Sequence, residues 1–219
     1  IKLHEPTYVD DPEISDYVNR LGQRLVSAST NPGGDFHFFV IRDGQVNAFA
    51  MFGGFIGINT GTILTAQSES ELAGVVAHEI SHVTQSHLAR QISAQKQQSV
   101  LGMIAMAVAL LAVRSNSQAA GGAMAGAEAA MVQSQLAYSR DFEREADRVG
   151  YDILEKAGFD PRGMSEFFER LQRSTRVYEN NAPVYMRSHP ITVERISDMQ
   201  NRQQRAPYKQ VRDSLDFHL

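Results

Sequence analysis

The sequence contains no cysteine. That absence excludes disulfide scaffolds, thiolate zinc fingers and cysteine nucleophiles together, so any metal must be held by His, Asp or Glu. It leaves the compartment open, because reducing and oxidising surroundings both permit it. A dominant charge is lacking too: 21 Lys+Arg stand against 25 Asp+Glu, for a formal net charge of -4. With no basic stripe and no aromatic RNA-binding signature, nucleic acid is not an expected partner. A long hydrophobic run is also missing. The longest, Val100 to Val113, has 14 uncharged and mostly apolar residues, whereas a spanning helix needs roughly 17–25. No transmembrane span is therefore expected. No internal repeat is found.

What is present suits an ordinary globular protein, with 42% hydrophobic and 21% charged residues,. The length is ample for a real core, and residues 1–219 are expected to form a single domain. The first residue is Ile1, without Met, signal peptide or basic leader, as expected of a processed form or an excised domain.

Asp11-Pro12 is a good helix start, since Pro suits the first helical position, and Ile14, Tyr17, Val18, Leu21, Leu25 and Val26 follow at helical spacing,. Thr30 to Gly34 stops that helix. Phe36 to Ile41 reads as a strand, Asp43-Gly44 as a hairpin turn, Val46 to Met51 as a returning strand and Phe55 to Asn59 as a third. A small antiparallel sheet is expected, and the fold class is α+β, mainly helical. Ser68 with Glu71 three residues on forms a capping box before an apolar run,. That helix should extend through Arg90. Residues 100–137, apolar and then rich in Ala and Gly, read as a buried helix with a connector, or as a lid or membrane-touching loop over an active site. Further helices are expected from Ser139 to near Gly158, from Pro161, and through Ile196 and Met199, with a turn at Ser188-His189-Pro190.

The chemistry centres on His78-Glu79-Ile80-Ser81-His82. Residues four apart share one face of a helix, so the two imidazoles can grip one zinc ion at about 2.0–2.1 Å each. Glu79 then points beside the metal, where it can take a proton from an activated water. A catalytic zinc keeps three protein ligands and an open position. One zincin subclass takes its third ligand from a His six residues after the second motif His. That position is Leu88 here, and His87 is one residue out of register, which reads as a surface or supporting residue. The alternative is a carboxylate on a second helix. Glu143 and Asp147 are four apart and face one way, while Glu145 points elsewhere; one of the pair can ligate while the other holds a ligand histidine. Interleaved Arg140, Arg144 and Arg148 also permit a plain solvated face.

At these residues the chain resembles the zinc metallopeptidases of the HtpX and CAAX-prenyl-protease type, in which an HExxH helix is followed by an ExxxD helix. The matching segments are His78 to His82 and Glu143 to Asp147, with Asn47-Ala48-Phe49-Ala50, Gly53-Gly54, His189-Pro190 and Arg195. The similarity covers nearly the whole chain and is nearest to the BepA-like branch, periplasmic proteases and chaperones of outer-membrane assembly. The resemblance implies one Zn2+ per chain, with Glu143 as third ligand and Asp147 orienting a motif histidine. It implies that Asn47, Ala48, Phe49 and Ala50 pair with the substrate backbone, a strand-addition mode. It implies that His189 and Arg195 lie near the metal, with His189 filling the open position in a latent state. It also implies a bacterial periplasmic location, with unfolded or misassembled proteins as substrates and the outer-membrane assembly machinery as a candidate partner. BepA-like proteins carry C-terminal tetratricopeptide repeats, which this chain lacks, so it is expected to be the peptidase portion of a longer protein.

Two functions of different class follow. One is an endopeptidase that clears misfolded or stalled envelope proteins, with Glu79 as general base and His189 or Arg195 stabilising the oxyanion. The other is a chaperone-like module that holds clients with little proteolysis. Glu79 favours the first, since a structural metal site has no need of it.

Overall fold

The computed structural model describes residues 8–97, 100, 103, 139–177, 183–204 and 211–218. Two compact units are present: residues 1–85 with 143–219, and residues 86–142. Most of the candidate lid at 100–137 lies outside the described residues. Among the described residues, no helix is long and apolar enough to cross a membrane.

The first unit opens with α1 (Pro12–Ser27), started by Asp11, whose carboxylate accepts from the Glu13 and Ile14 amides,. β1 (His37–Ile41), β2 (Ala48–Ala50) and β3 (Phe55–Asn59) form one sheet in the order β1-β3-β2. Here the expectation of an antiparallel sheet with a hairpin at Asp43-Gly44 is corrected, while the α+β class stands. β3 lies between the other two strands, parallel to β1 and antiparallel to β2. The turn residues are engaged elsewhere. Asp43 takes the Thr60 hydroxyl (2.8 Å) and the Gly61 amide (2.8 Å) on its carbonyl, so the loop is tied to α2 (Thr60–Thr65) and β1 and β2 are not paired.

α3 (Glu69–Thr84) carries the motif and is the best buried element of this unit. Ser68 caps it through the Glu71 amide, 3.2 Å away. The reciprocal half of the capping box is shifted, because the Glu71 carboxylate accepts from the Gln67 amide instead and pairs with Arg170. The helix stops at Thr84, short of the expected Arg90. Ser86 takes a left-handed φ of 54°, which L-residues rarely continue into a helix, and α4 resumes over 87–97. His87 is therefore not on the motif helix. Within the second unit it is buried and stacked on Phe142 at 4.4 Å, not at the surface.

α5 is helical over 139–156 and contributes 143–156 to the first unit; it ends at Gly158, whose φ of 83° closes the terminus,. α6 (Arg162–Val177), α7 (Val184–Ser188) and α8 (Val193–Gln203) complete the helical layer. Leu72, Val76, Ile80, Leu154, Phe167 and Phe168 fill the space between α3, α5 and α6; burying each such side chain contributes about 1.5–3 kcal/mol. Two glycines set the helix spacing. A Cβ on Gly150 would lie 3.2 Å from the backbone of Ala77 and His78, and one on Gly163 would strike the Ser70 backbone at 2.5 Å. A larger residue at position 150 would push α5 away from the motif histidine by a few tenths of an ångström,. The segment before a short 3-10 turn (Leu215–His218) returns to the start of α3: Asp213 accepts from the Glu69 amide at 2.8 Å, and Ser214 donates to the Glu69 carboxylate.

Candidate active site

His78 and His82 project from one face of α3, and their Nε2 atoms lie 3.0 Å apart. The Glu143 carboxylate, brought in by α5, stands 3.3 Å from His78 Nε2 and 3.5 Å from His82 Nε2. His189, just after α7, sets its Nδ1 3.1 Å from Glu143 Oε1 and its Nε2 3.5 Å from Glu79 Oε1. One ligand atom from each of His78, His82, Glu143 and His189 lies within 4.8 Å of the other three. Four ligands at about 2.0–2.1 Å from a tetrahedral ion would stand roughly 3.3 Å apart. The His78–His82–Glu143 spacings match that edge, so the residues present fit a metal ion.

Glu79 is fully buried and, among the described residues, its carboxylate oxygens have no hydrogen-bond partner, the His189 Nε2 contact at 3.5 Å being an ion-pair distance only. A buried carboxylate in that state is costly, and native structures rarely tolerate one without a functional reason. It sits beside the ligand cluster, 3.5 Å from His189 Nε2.

Behind the ligands lies a charged scaffold. Arg195 is buried and forks onto Asp147, with Nε 2.6 Å and Nη2 2.7 Å from the two carboxylate oxygens. Its Nη1 is 2.9 Å from Glu143 and 2.7 Å from the Pro190 carbonyl. Asp147 Oδ1 in turn lies 3.0 Å from His78 Nδ1. At that distance His78 Nδ1 is within hydrogen-bonding reach of Asp147, although the N–H direction is poorly aligned. Burial raises the Asp147 carboxyl, but Arg195 and His78 outweigh it and leave it below the usual range. The Glu143 carboxyl is also raised by burial and is then held well below its usual range by His189 and His78. For His78, burial opposes the charged ring, yet Asp147 and Glu143 lift it to about 9 in the absence of metal.

The residues singled out from sequence thus divide by place. His78, Glu79, His82, Glu143 and His189 converge on one point. Asp147 and Arg195 stand one layer behind it. Ala48, Phe49 and Ala50 form β2, which packs on α3, and Asn47 immediately precedes it. Glu145 is absent from the cluster. The sequence reading missed Tyr185. Its ring is fully buried and stacks on His189 with centroids 4.7 Å apart. A signal was available, because Tyr185 precedes His189 by four residues, one helical turn.

Peptidase family M48 matches residues 12–203. The chain belongs to peptidase family M48. Family membership makes it a metal-dependent peptidase domain and accounts for the His/Glu cluster. Among curated proteins, a putative beta-barrel assembly-enhancing protease of Vibrio cholerae is 42% identical over 211 residues, 96% of this chain and 43% of that protein. The beta-barrel assembly-enhancing protease of Escherichia coli is 37% identical over the same shares. More distant is the mitochondrial metalloendopeptidase OMA1 of Schizosaccharomyces pombe, 27% identical over 180 residues, 82% of this chain and 50% of that protein. The M48 chain described here therefore spans less than half the length of the first two relatives.

Proposed function

We propose that this M48 chain is a zinc endopeptidase domain acting on misfolded or stalled proteins of the bacterial envelope, in the periplasm and in support of outer-membrane assembly. The link to outer-membrane assembly rests on the names of the bacterial relatives, beta-barrel assembly-enhancing proteases, and the periplasmic location and misfolded clients rest on the resemblance carried by the motif residues. The chemistry rests on one observation above the others: the fully buried Glu79 carboxylate stands beside a cluster of ligand atoms from His78, His82, Glu143 and His189 that all lie within 4.8 Å of one another.

In this reading His78, His82 and Glu143 hold zinc. Zinc bound there would supply Lewis-acid polarisation of the scissile carbonyl and a lowered pKa for a water. Glu79 would serve as the general base that accepts a proton at its carboxylate and passes it to the leaving amine. Asp147 steadies His78, an arrangement that commonly raises metal affinity. Arg195 we assign to holding Asp147 and Glu143, and not to the substrate oxygen, because each of its three nitrogens is already engaged by them or by Pro190. A client strand would pair with the backbone of β2 at Asn47 to Ala50. His189 stands among the ligands in the resting state, which supports a latent enzyme that opens when the turn departs.

The test is digestion of casein. Activity should vanish with a chelator and return with stoichiometric zinc. If casein is bound but never cut under any metal condition, the client-holding module is the better account.

A further inference from the structure

A cavity of about 280 Å³ lies between α5 and α8, and none of the four ligand residues lines it. Asp147, Arg195 and Met199, all buried, form its inner wall. Arg144 and Arg148, one turn apart on α5, line it as well, together with Arg202 on α8, and these three are exposed. Small-molecule sites usually measure about 300–1,000 Å³, so this cavity suits a small polar group and not a peptide.

The lining carries more positive than negative charge, with four arginines against Glu145, Asp147 and Asp198. Those arginines are not equivalent. Arg195 is spent on Asp147, Glu143 and the Pro190 carbonyl. Arg144 leans on Glu194 at 3.3 Å, and the two side chains are 48% and 72% exposed, so solvent weakens that pair and leaves Arg144 available to a better acceptor. Arg148 and Arg202 have no ion-pair partner among the described residues, although Glu145 and Asp198 share the lining. Two uncommitted guanidinium groups from different helices thus border one small cavity.

We propose that the α5–α8 cavity is a binding site for a phosphate-type anion, held by Arg148 and Arg202 with Arg144 at its rim. A guanidinium presents a planar fork of donors that matches phosphate oxygens. A phosphate monoester brings three strong acceptor oxygens, enough to engage all three arginines, whereas a carboxylate brings two. Arg195 and Asp147 stay paired and serve as the wall. Bound there, the anion ties α5 to α8 behind Asp147. The site goes beyond the peptidase reading and stands or falls without it. Two sources offer the same chemistry, a soluble phosphate ester and the headgroup of an anionic lipid.

The test titrates the zinc-loaded protein with methyl phosphate and follows phosphorus NMR and thermal unfolding. Binding should saturate at about one per chain and raise Tm by about 5–10 °C at about a hundredfold excess over Kd. Arg148→Gln and Arg202→Gln should each weaken binding by about 10- to 100-fold, the loss of one charge-assisted hydrogen bond. Both variants should keep the zinc content of the parent and its casein digestion without ligand. No saturable binding overturns the proposal. Undiminished affinity in the Arg148→Gln/Arg202→Gln double variant overturns it too, because the phosphate is then held elsewhere, such as at zinc. Phosphatidylcholine vesicles containing phosphatidic acid separate the two sources. If they displace methyl phosphate, the site takes a lipid headgroup; if methyl phosphate binds and the vesicles do not compete, it takes a soluble ester. Vesicle binding without methyl phosphate binding overturns the proposal, since attraction to a charged surface then needs no built site.

Discussion

Arg195→Met would strand two buried carboxylates. Arg195, Asp147 and Glu143 are 3%, 6% and 4% exposed, so solvent can do little to compensate. Removing one partner of a buried pair costs about 3–5 kcal/mol, because the remaining charge is left in a poor medium. In the metal-free protein a protonated His78 stands 3.0 Å from Asp147 and 3.3 Å from Glu143 and offsets part of that cost. We therefore expect about 3 kcal/mol at neutral pH. For a chain of this size each kcal/mol moves Tm by about 2–4 °C, giving a drop of roughly 6–12 °C. Thermal unfolding of the chelated protein by circular dichroism measures it. Added salt should change the drop little, since buried pairs are weakly screened. Asp147→Asn in the Arg195→Met background should recover part of the loss by removing one unpaired charge. A fall within about 3 °C, near 1 kcal/mol, or a double variant less stable than Arg195→Met alone, would refute the reasoning.

Glu143→Ala should lose zinc by elemental analysis, whereas Asp147→Ala should keep it with about 10–100-fold weaker affinity; the reverse pattern exchanges their roles. His78 should make metal-free stability depend on pH. Its folded value, about 9, exceeds the unfolded value of about 6.5, so its contribution is complete below about pH 6.5 and is lost as pH rises through 9. Tm of the chelated protein should fall across that window, and zinc uptake at pH 7.5 should release about one proton, read by calorimetry in two buffers. His189→Ala should digest casein faster than the parent if the ring blocks the metal. A slower rate, by about 10²–10³-fold, would instead mark it as an oxyanion donor, and an unchanged rate with an unchanged zinc X-ray absorption spectrum would reduce it to a turn residue.

Local signals in the sequence were read well. Asp11-Pro12 and Ser68 start α1 and α3 where a cap and a periodic apolar face say they should, and His78 and His82 meet because four residues make about one turn. Signals that depend on distant partners were not. Asp43-Gly44 looks like a hairpin, yet Thr60 and Gly61 capture Asp43 and β3 enters the middle of the sheet. The stop after Thr84 carries no Gly or Pro, because an ordinary serine takes the left-handed turn. Spacing alone could not choose between Glu143 and Asp147. The packing of α5 against α3 sets Glu143 against both Nε2 atoms and Asp147 beside His78 Nδ1. The Arg195 fork spans 48 residues, and no local pattern announces it.

The central claim is that Glu79 moves the proton at a metal held by His78, His82 and Glu143. Glu79→Gln tests it most directly, since the amide nearly copies the shape of the carboxylate but cannot accept the water proton at neutral pH. Zinc content and casein digestion should be measured on the same preparation. The account expects zinc near one per chain, an unchanged fold and almost no proteolysis. Zinc-dependent cleavage at close to the parent rate would contradict it.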